Sequence, residues 1–81
     1  MTIKVKFFAA LREILHCDET VFEVSEGALC EDIFLRLQTD TPALFSFLET
    51  CLVAINGTYA DKTACLSTGD ELAILPPVSG G

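Results

Sequence analysis

The stretch Glu71-Leu72-Ala73-Ile74-Leu75-Pro76-Pro77-Val78-Ser79-Gly80-Gly81 closes the chain and decides how the rest of it folds. Residues 71–75 alternate in the way that predicts a strand, with Leu72 and Ile74 on one face. The two prolines that follow have no N–H to donate, so they end the strand pairing and favour an extended path. We therefore expect residues 76–81 to project from the body as a C-terminal tail.

The tail offers one reactive group, the carboxylate of Gly81. Because glycine has no Cβ, Gly80 and Gly81 can enter a narrow slot that other residues would block. The alternative is a frayed terminus, which is how most chain ends behave. The rigid pair of prolines and the apolar Val78 favour a functional tail over a frayed one.

The composition predicts one domain, residues 1–81, with a partner-binding surface. Hydrophobic residues make up 51% of the chain, more than the small core of such a domain needs. We therefore expect a contiguous apolar surface patch, with a fully self-packed core as the alternative. The net charge of −7, from 12 acidic and 5 basic residues, argues against binding to nucleic acid or to anionic membranes.

The four cysteines are widely spaced and form no C-x-x-C motif; they are Cys17, Cys30, Cys51 and Cys65. This spacing predicts neither a zinc site nor an iron–sulfur site, so no metal is expected. Cys30 and Cys51 lie within apolar patterns and are predicted core residues. No secretory signal or membrane-spanning run is visible, which favours a reduced, cytoplasmic protein.

Five strands and one main helix are predicted along the chain. The strands are expected at 3–7, 20–24, 51–55, 58–62 and 71–75, a short helix at 8–15, and a main helix that begins at Ser25 as its N-cap. A stripe at Leu29, Ile33 and Leu37 should pack this helix on the sheet. A second short helical face is expected from Leu44, Phe45 and Leu48, and Asn56-Gly57 predicts a hairpin.

This order predicts an α+β fold in which a mixed sheet of four or five strands packs on one main helix. That is the β-grasp arrangement. The first and last strands would lie side by side and parallel at the centre, with the tail leaving from one end of the sheet.

The sequence does not predict catalysis by this chain alone. The single histidine, His16, is adjacent to Cys17, and adjacent residues seldom reach the geometry of a nucleophile and its base. Activation of the Gly81 carboxylate would need a second enzyme, for example one that forms an acyl-adenylate with ATP. The adenylate could then accept sulfur to give a thiocarboxylate, or pass to a cysteine and then to a lysine in protein conjugation.

The sequence resembles the MoaD family, the small subunits of molybdopterin synthase, over essentially its whole length. The resemblance rests on Ile-Lys-Val-x-Phe-Phe-Ala at residues 3–9, Leu11-Arg12-Glu13, Ala54-Ile55-Asn56, Gly69-Asp70-Glu71, and the ending Pro76-Pro77-Val78-Ser79-Gly80-Gly81. The ending is its most specific part. One departure is Leu75, which stands where family members can carry an aromatic residue.

The resemblance implies a ubiquitin-like β-grasp fold and a sulfur carrier with no resident cofactor. A MoeB-like enzyme would use ATP to adenylate Gly81, and a sulfur donor protein would convert it to a thiocarboxylate. The tail would enter a MoaE-like large subunit, in a heterotetramer of two small and two large subunits. There its sulfur would convert precursor Z, the cyclic pyranopterin monophosphate, into molybdopterin for the molybdenum cofactor.

The residues and the resemblance together assign the site. Gly81 would carry the sulfur, and Gly80 would let it pass a narrow channel. The expected partner contacts are Phe8, Leu11, Arg12, Leu75, Pro76, Pro77, Val78 and Ser79. Three alternatives stay open: a carrier for another pathway such as thiamin synthesis, a ubiquitin-like protein modifier, and a plain interaction domain.

Overall fold

The computed structural model of the protein describes residues 1–77, which form one mixed sheet and three helices. The strands are β1 (Thr2–Phe7), β2 (Glu19–Glu23), β3 (Leu52–Ile55), β4 (Thr58–Ala60) and β5 (Glu71–Leu75). The helices are α1 (Ala9–Leu15), α2 (Cys30–Asp40) and α3 (Phe45–Glu49), the last preceded by a 3₁₀ turn at Pro42–Leu44.

The strands are ordered β2-β1-β5-β3-β4 across the sheet. β1 and β5 pair in parallel, with Val5 opposite Leu72, while the other neighbouring strands pair antiparallel. The predicted β-grasp arrangement, with the first and last strands adjacent, is therefore confirmed, and the sheet has five strands.

The core lies between one face of this sheet and the helices. Strands β1 and β5 alternate strictly, so that Val5 and Leu72 are fully buried while Lys4 on the other face is exposed. Helix α2 buries one stripe against this face, formed by Cys30, Ile33, Phe34 and Leu37. Burial of these apolar side chains is the main favourable term in the stability of the fold.

The main helix begins later than predicted, and the prediction that Ser25 is its N-cap is wrong. Ser25 instead accepts a hydrogen bond from the N–H of Ala28, in a turn that contains Gly27 at φ +85°. The cap position belongs to Leu29, which is extended and pairs with Cys65 in an isolated bridge. Asp32 closes this end, because its Oδ2 accepts the N–H of Leu29 at 2.8 Å.

The segment before β3 also differs from the sequence prediction at one position. Leu44 and Leu48 are buried as expected, but the side chain of Phe45 is 53% exposed. The 3₁₀ turn and the single turn of α3 change the angle between successive side chains, so the spacing that suits one continuous helix does not hold here.

The predicted hairpin at Asn56-Gly57 is confirmed, and it is tied to the start of β5. Both residues have positive φ, +51° and +85°, as a two-residue type I′ turn requires. The Asn56 Oδ1 accepts the N–H of Glu71 at 3.0 Å, and its Nδ2 donates to Asp70 Oδ1 at 2.8 Å. The other Asp70 oxygen accepts the N–H of Ser67 at 2.8 Å, so one amide side chain joins two loops.

Within the described part of the chain, no helix is long and apolar enough to cross a membrane. Among the same residues, His, Cys, Asp and Glu side chains do not gather in groups of three that could hold a metal ion. All four cysteines are free thiols.

Candidate functional site

The parallel pairing of β1 and β5 determines where Pro76, the first residue after β5, lies. Because the two strands run in the same direction, Phe8 after β1 and Pro76 after β5 lie at the same end of the sheet. Pro76 is half-buried and Pro77 is exposed, so the chain passes from packed strand to surface over these two residues. The predicted contacts Val78 and Ser79, and the predicted sulfur site at Gly80 and Gly81, lie outside the described residues.

An apolar patch covers the sheet face opposite the helices, next to Pro76. We call it the sheet-face patch; its members are Phe8, Leu52, Tyr59, Ala73 and Leu75. The register brings them together, since Leu52 pairs with Leu75, and Ala54 pairs with both Ala73 and Tyr59. The side chains of Phe8, Leu52 and Tyr59 are 39%, 52% and 73% exposed. The expectation of an apolar surface patch is therefore confirmed.

Phe8 reaches this patch because its backbone continues the path of β1. Its φ of −131° and ψ of 153° are extended, so its side chain leaves the sheet on the face opposite to that of Phe7. Phe7 is only 2% exposed and belongs to the core. Two consecutive phenylalanines thus serve the two faces of one strand.

Leu11 does not belong to the exposed surface, and its predicted role as a partner contact is wrong. It lies on the inward face of α1 and is fully buried in the core. Arg12, the next residue, is half-exposed, and its Nε lies 3.8 Å from Asp18 Oδ1. An exposed pair at this distance contributes little stability, so the guanidinium stays accessible to a partner.

Leu52 and Tyr59 were missed by the sequence reasoning, although they are the most exposed members of the sheet-face patch. Every residue of the run 51–55 is apolar, which predicts a strand but does not indicate which of its faces is exposed. A strand that is apolar on both faces but packed on only one face leaves the other side free. The sequence does contain a signal for an exposed apolar face, since no polar residue alternates with the apolar ones in this run.

Charged side chains border the sheet-face patch on its β1–β2 side. The Lys6 Nζ lies 3.6 Å from Glu71 Oε1, and the Lys4 Nζ lies 3.7 Å from Glu19 Oε2. These pairs are solvent-exposed and contribute little to stability. Their position makes one half of the face apolar and the other half charged, which favours one orientation of a docked partner.

Two of the cysteines, Cys30 and Cys51, lie buried in the core. Burial raises the pKa of both Cys30 and Cys51, although nearby Lys62 partly opposes this at Cys51, so both remain protonated thiols at neutral pH. This confirms their interpretation as core residues. His16 is exposed in a left-handed conformation at the end of α1.

The sequence of this chain is similar to that of known proteins over nearly its whole length. Residues 5–81 match the ThiS family. The molybdopterin synthase sulfur carrier subunit of Chlamydomonas reinhardtii is 45% identical to this chain, and the alignment covers 100% of both.

Solved structures share the fold over nearly the whole length. SAMP1, the small archaeal modifier protein 1 of Haloferax volcanii, is 31% identical with a TM-score of 0.85 and full coverage of both chains. A putative molybdopterin converting factor subunit 1 from Pyrococcus furiosus is 28% identical with a TM-score of 0.83, and the match covers 96% of this chain and 99% of that one. The fold is thus ubiquitin-like β-grasp.

Proposed function

Because this chain belongs to the ThiS family, we propose that it is the sulfur carrier subunit of a molybdopterin synthase. The observation that carries the proposal is that Pro76 and Pro77 lie beside the sheet-face patch, at the end of the central strand β5. A carrier needs both features: a surface by which partners hold the body, and an arm that reaches into their active sites. The name of the Chlamydomonas relative supports this choice of pathway.

The proposed chemistry takes place at the carboxyl group of Gly81. Its oxygen attacks the α-phosphorus of ATP, the bond to the β-phosphate breaks, and pyrophosphate leaves. For hydrosulfide, the simplest sulfide-level donor, sulfur then forms a C–S bond at the acyl carbon. The C–O bond to AMP breaks, the S–H proton passes to solvent, and a thiocarboxylate remains.

We propose that the thiocarboxylate donates its sulfur to the cyclic pyranopterin monophosphate within a MoaE-like large subunit. The sheet-face patch would hold the body against this subunit, and Pro76 and Pro77 would direct the tail into it. Two small and two large subunits would form the complex. The large subunit would supply the basic groups for the anionic pterin, since this chain carries only five basic residues.

We further propose that a MoeB-like enzyme binds ATP and adenylates Gly81, and that a separate donor protein supplies the sulfur. This chain would then hold no resident cofactor and would not be catalytic alone. A cytoplasmic location is supported by the four free thiols, which a reducing compartment would preserve.

The test is the intact mass of the full chain, purified from cells that contain its own activating enzyme, with and without sulfur starvation. We expect a fraction of the protein in which one oxygen of Gly81 is replaced by sulfur. That fraction should disappear on starvation and in a chain that lacks Gly81, while the deletion leaves the unfolding transition unchanged. An unmodified mass under every condition, with demonstrably active enzyme, would refute the proposal.

A protein modifier is the second candidate, favoured by the likeness to SAMP1 over the full chain. It shares the adenylation step but predicts a different product, an amide bond between Gly81 and lysines of other proteins. Tryptic peptides in which a lysine of another protein carries residues 63–81 of this chain, released by cleavage after Lys62, would support the modifier. Conversion of the pyranopterin by thiocarboxylated chain and large subunit would support the synthase.

A further inference from the structure

A second apolar surface lies on the opposite side of the molecule from the sheet-face patch. It is a cleft of about 410 Å³ between α2 and α3, which we call the helix cleft. Leu35 and Phe45 form its two walls and are 61% and 53% exposed, while buried Phe34 and Leu48 form its floor. Helix α2 packs its other side on the sheet, so Leu35 faces away from the sheet-face patch.

The rim of the helix cleft is acidic. Residues 23–49 carry six acidic residues (Glu23, Glu26, Glu31, Asp32, Asp40 and Glu49) and a single basic one, Arg36. Glu31, Asp32 and Glu49 line the cleft itself. Within residues 1–77, Glu31 and Glu49 are in no ion pair, whereas Lys4 and Lys6 on the sheet face are paired.

Lys62 is the one cation among the described residues that line the cleft, and it is already engaged by the fold. Its Nζ donates to the carbonyl oxygens of Leu48 at 3.1 Å and Glu49 at 2.9 Å, at the C-terminal end of α3. It also lies 5.1 Å from the centre of the Phe34 ring. Its charge offsets the negative end of that helix, so the rim carboxylates are left to attract an external cation.

The proposed sulfur cycle requires two proteins at once. An acyl-adenylate hydrolyses in water, so the sulfur must arrive while the adenylating enzyme still encloses the tail. If the sheet-face patch is covered at that moment, the sulfur-delivering protein needs another face of the carrier. The helix cleft is an exposed apolar surface on the other side of the molecule, and its charge selects partners of opposite sign.

We propose that the helix cleft docks the sulfur-delivering protein, through an apolar side chain flanked by lysine or arginine residues. This inference rests on the proposed function. The exposed Leu35 and Phe45 supply the apolar contact, and Glu31 and Glu49 supply the charge that orients it.

The test compares two sulfur sources in the reconstituted system of full chain, ATP and adenylating enzyme. One source is a persulfide-carrying cysteine desulfurase that supports thiocarboxylate formation by the wild type: its persulfide displaces AMP to give an acyl disulfide, which a thiol reductant, present in both arms, cleaves to the thiocarboxylate. The other source is inorganic sulfide, which needs no docking. The cleft variants are Leu35→Ser and the double change Glu31→Lys with Glu49→Lys. The matched control is Glu13→Lys with Asp61→Lys, which alters the net charge equally at exposed sites outside the cleft.

We expect the cleft variants to form thiocarboxylate more than 10-fold more slowly than the control with the protein donor, and at the control rate with sulfide. Pyrophosphate exchange should be unchanged in all variants. Equal rates for cleft and control variants with the protein donor would overturn the proposal, and so would a loss of equal size with sulfide. A wild type that forms no thiocarboxylate from either source would instead refute the proposed function itself.

Discussion

Replacement of Asn56 by alanine should destabilise the fold, although Asn56 lies in an exposed loop. The change removes the hydrogen bond from the N–H of Glu71, which contributes about 1 kcal/mol net, as is usual for a neutral pair. It also removes the bond to the Asp70 carboxylate, which is exposed and therefore contributes about 1 kcal/mol rather than the larger value of a buried charged pair. Alanine in the left-handed conformation adds a further cost of about 1 kcal/mol.

The expected total for Asn56→Ala is a loss of about 3 kcal/mol in the free energy of unfolding. The matched variant Asn56→Gly tolerates the positive φ but loses both hydrogen bonds, so it should lose only about 2 kcal/mol. Urea unfolding followed by circular dichroism gives both values. The slope of the unfolding free energy with urea should stay constant, because the surface exposed on unfolding does not change.

A loss below about 0.5 kcal/mol for Asn56→Ala would refute the reasoning, since changes of that size are typical of surface positions without a structural role. Equal losses for the alanine and glycine variants would refute only the contribution assigned to the backbone conformation.

Three further predictions concern the core, α3 and the buried thiols. Leu72→Ala should cost about 3–5 kcal/mol in urea unfolding, because Leu72 is fully buried on the central strand, and a loss under about 1 kcal/mol would contradict that position. Lys62→Met keeps the aliphatic part of the side chain but removes the cation at the end of α3, so we expect the free energy of unfolding to fall by about 1 kcal/mol. Burial raises the pKa of Cys51 and Lys62 lowers it, so the same variant should raise this pKa further and slow the alkylation of Cys51. Burial raises the pKa of Cys30 and Cys51 in the folded chain above the ordinary value of 9.0, so the unfolded chain loses these protons first as the pH increases. The free energy of unfolding should therefore be insensitive to these thiols below about pH 9 and fall above it, and a Cys30→Ala, Cys51→Ala variant with an equally steep fall would contradict this.

The positions of the strands were predictable because strand patterns are local. In β1, Ile3, Val5 and Phe7 alternate with lysines, and in β5 Leu72 and Ile74 keep the same period, so both boundaries were close to those of the structure. The start of α2 was not predictable in this way. It depends on the bridge between Leu29 and Cys65, residues far apart in sequence, which keeps Leu29 extended so that the helix begins only after it.

The candidate site shows the same division between local and non-local information. Phe8 and Leu75 were found because each stands beside a strand end that the pattern defines. Leu52 and Tyr59 join them through the pairing of β3 with β5 and β4, which sets the face on which a side chain stands. The prediction that Leu11 is exposed was wrong because a helix of two turns contains too few apolar residues to show which of its faces is buried.

The central position of β5 has a mechanical consequence for the tail. A partner that draws the tail into a channel pulls along the axis of β5, which is hydrogen-bonded to β1 on one side and to β3 on the other. The bonds of both ladders lie across that direction, so they share the load together instead of opening one after another. A pulling force on Pro77 is therefore distributed over the hydrogen bonds that join β5 to β1 and to β3, and the sheet stays folded under that load.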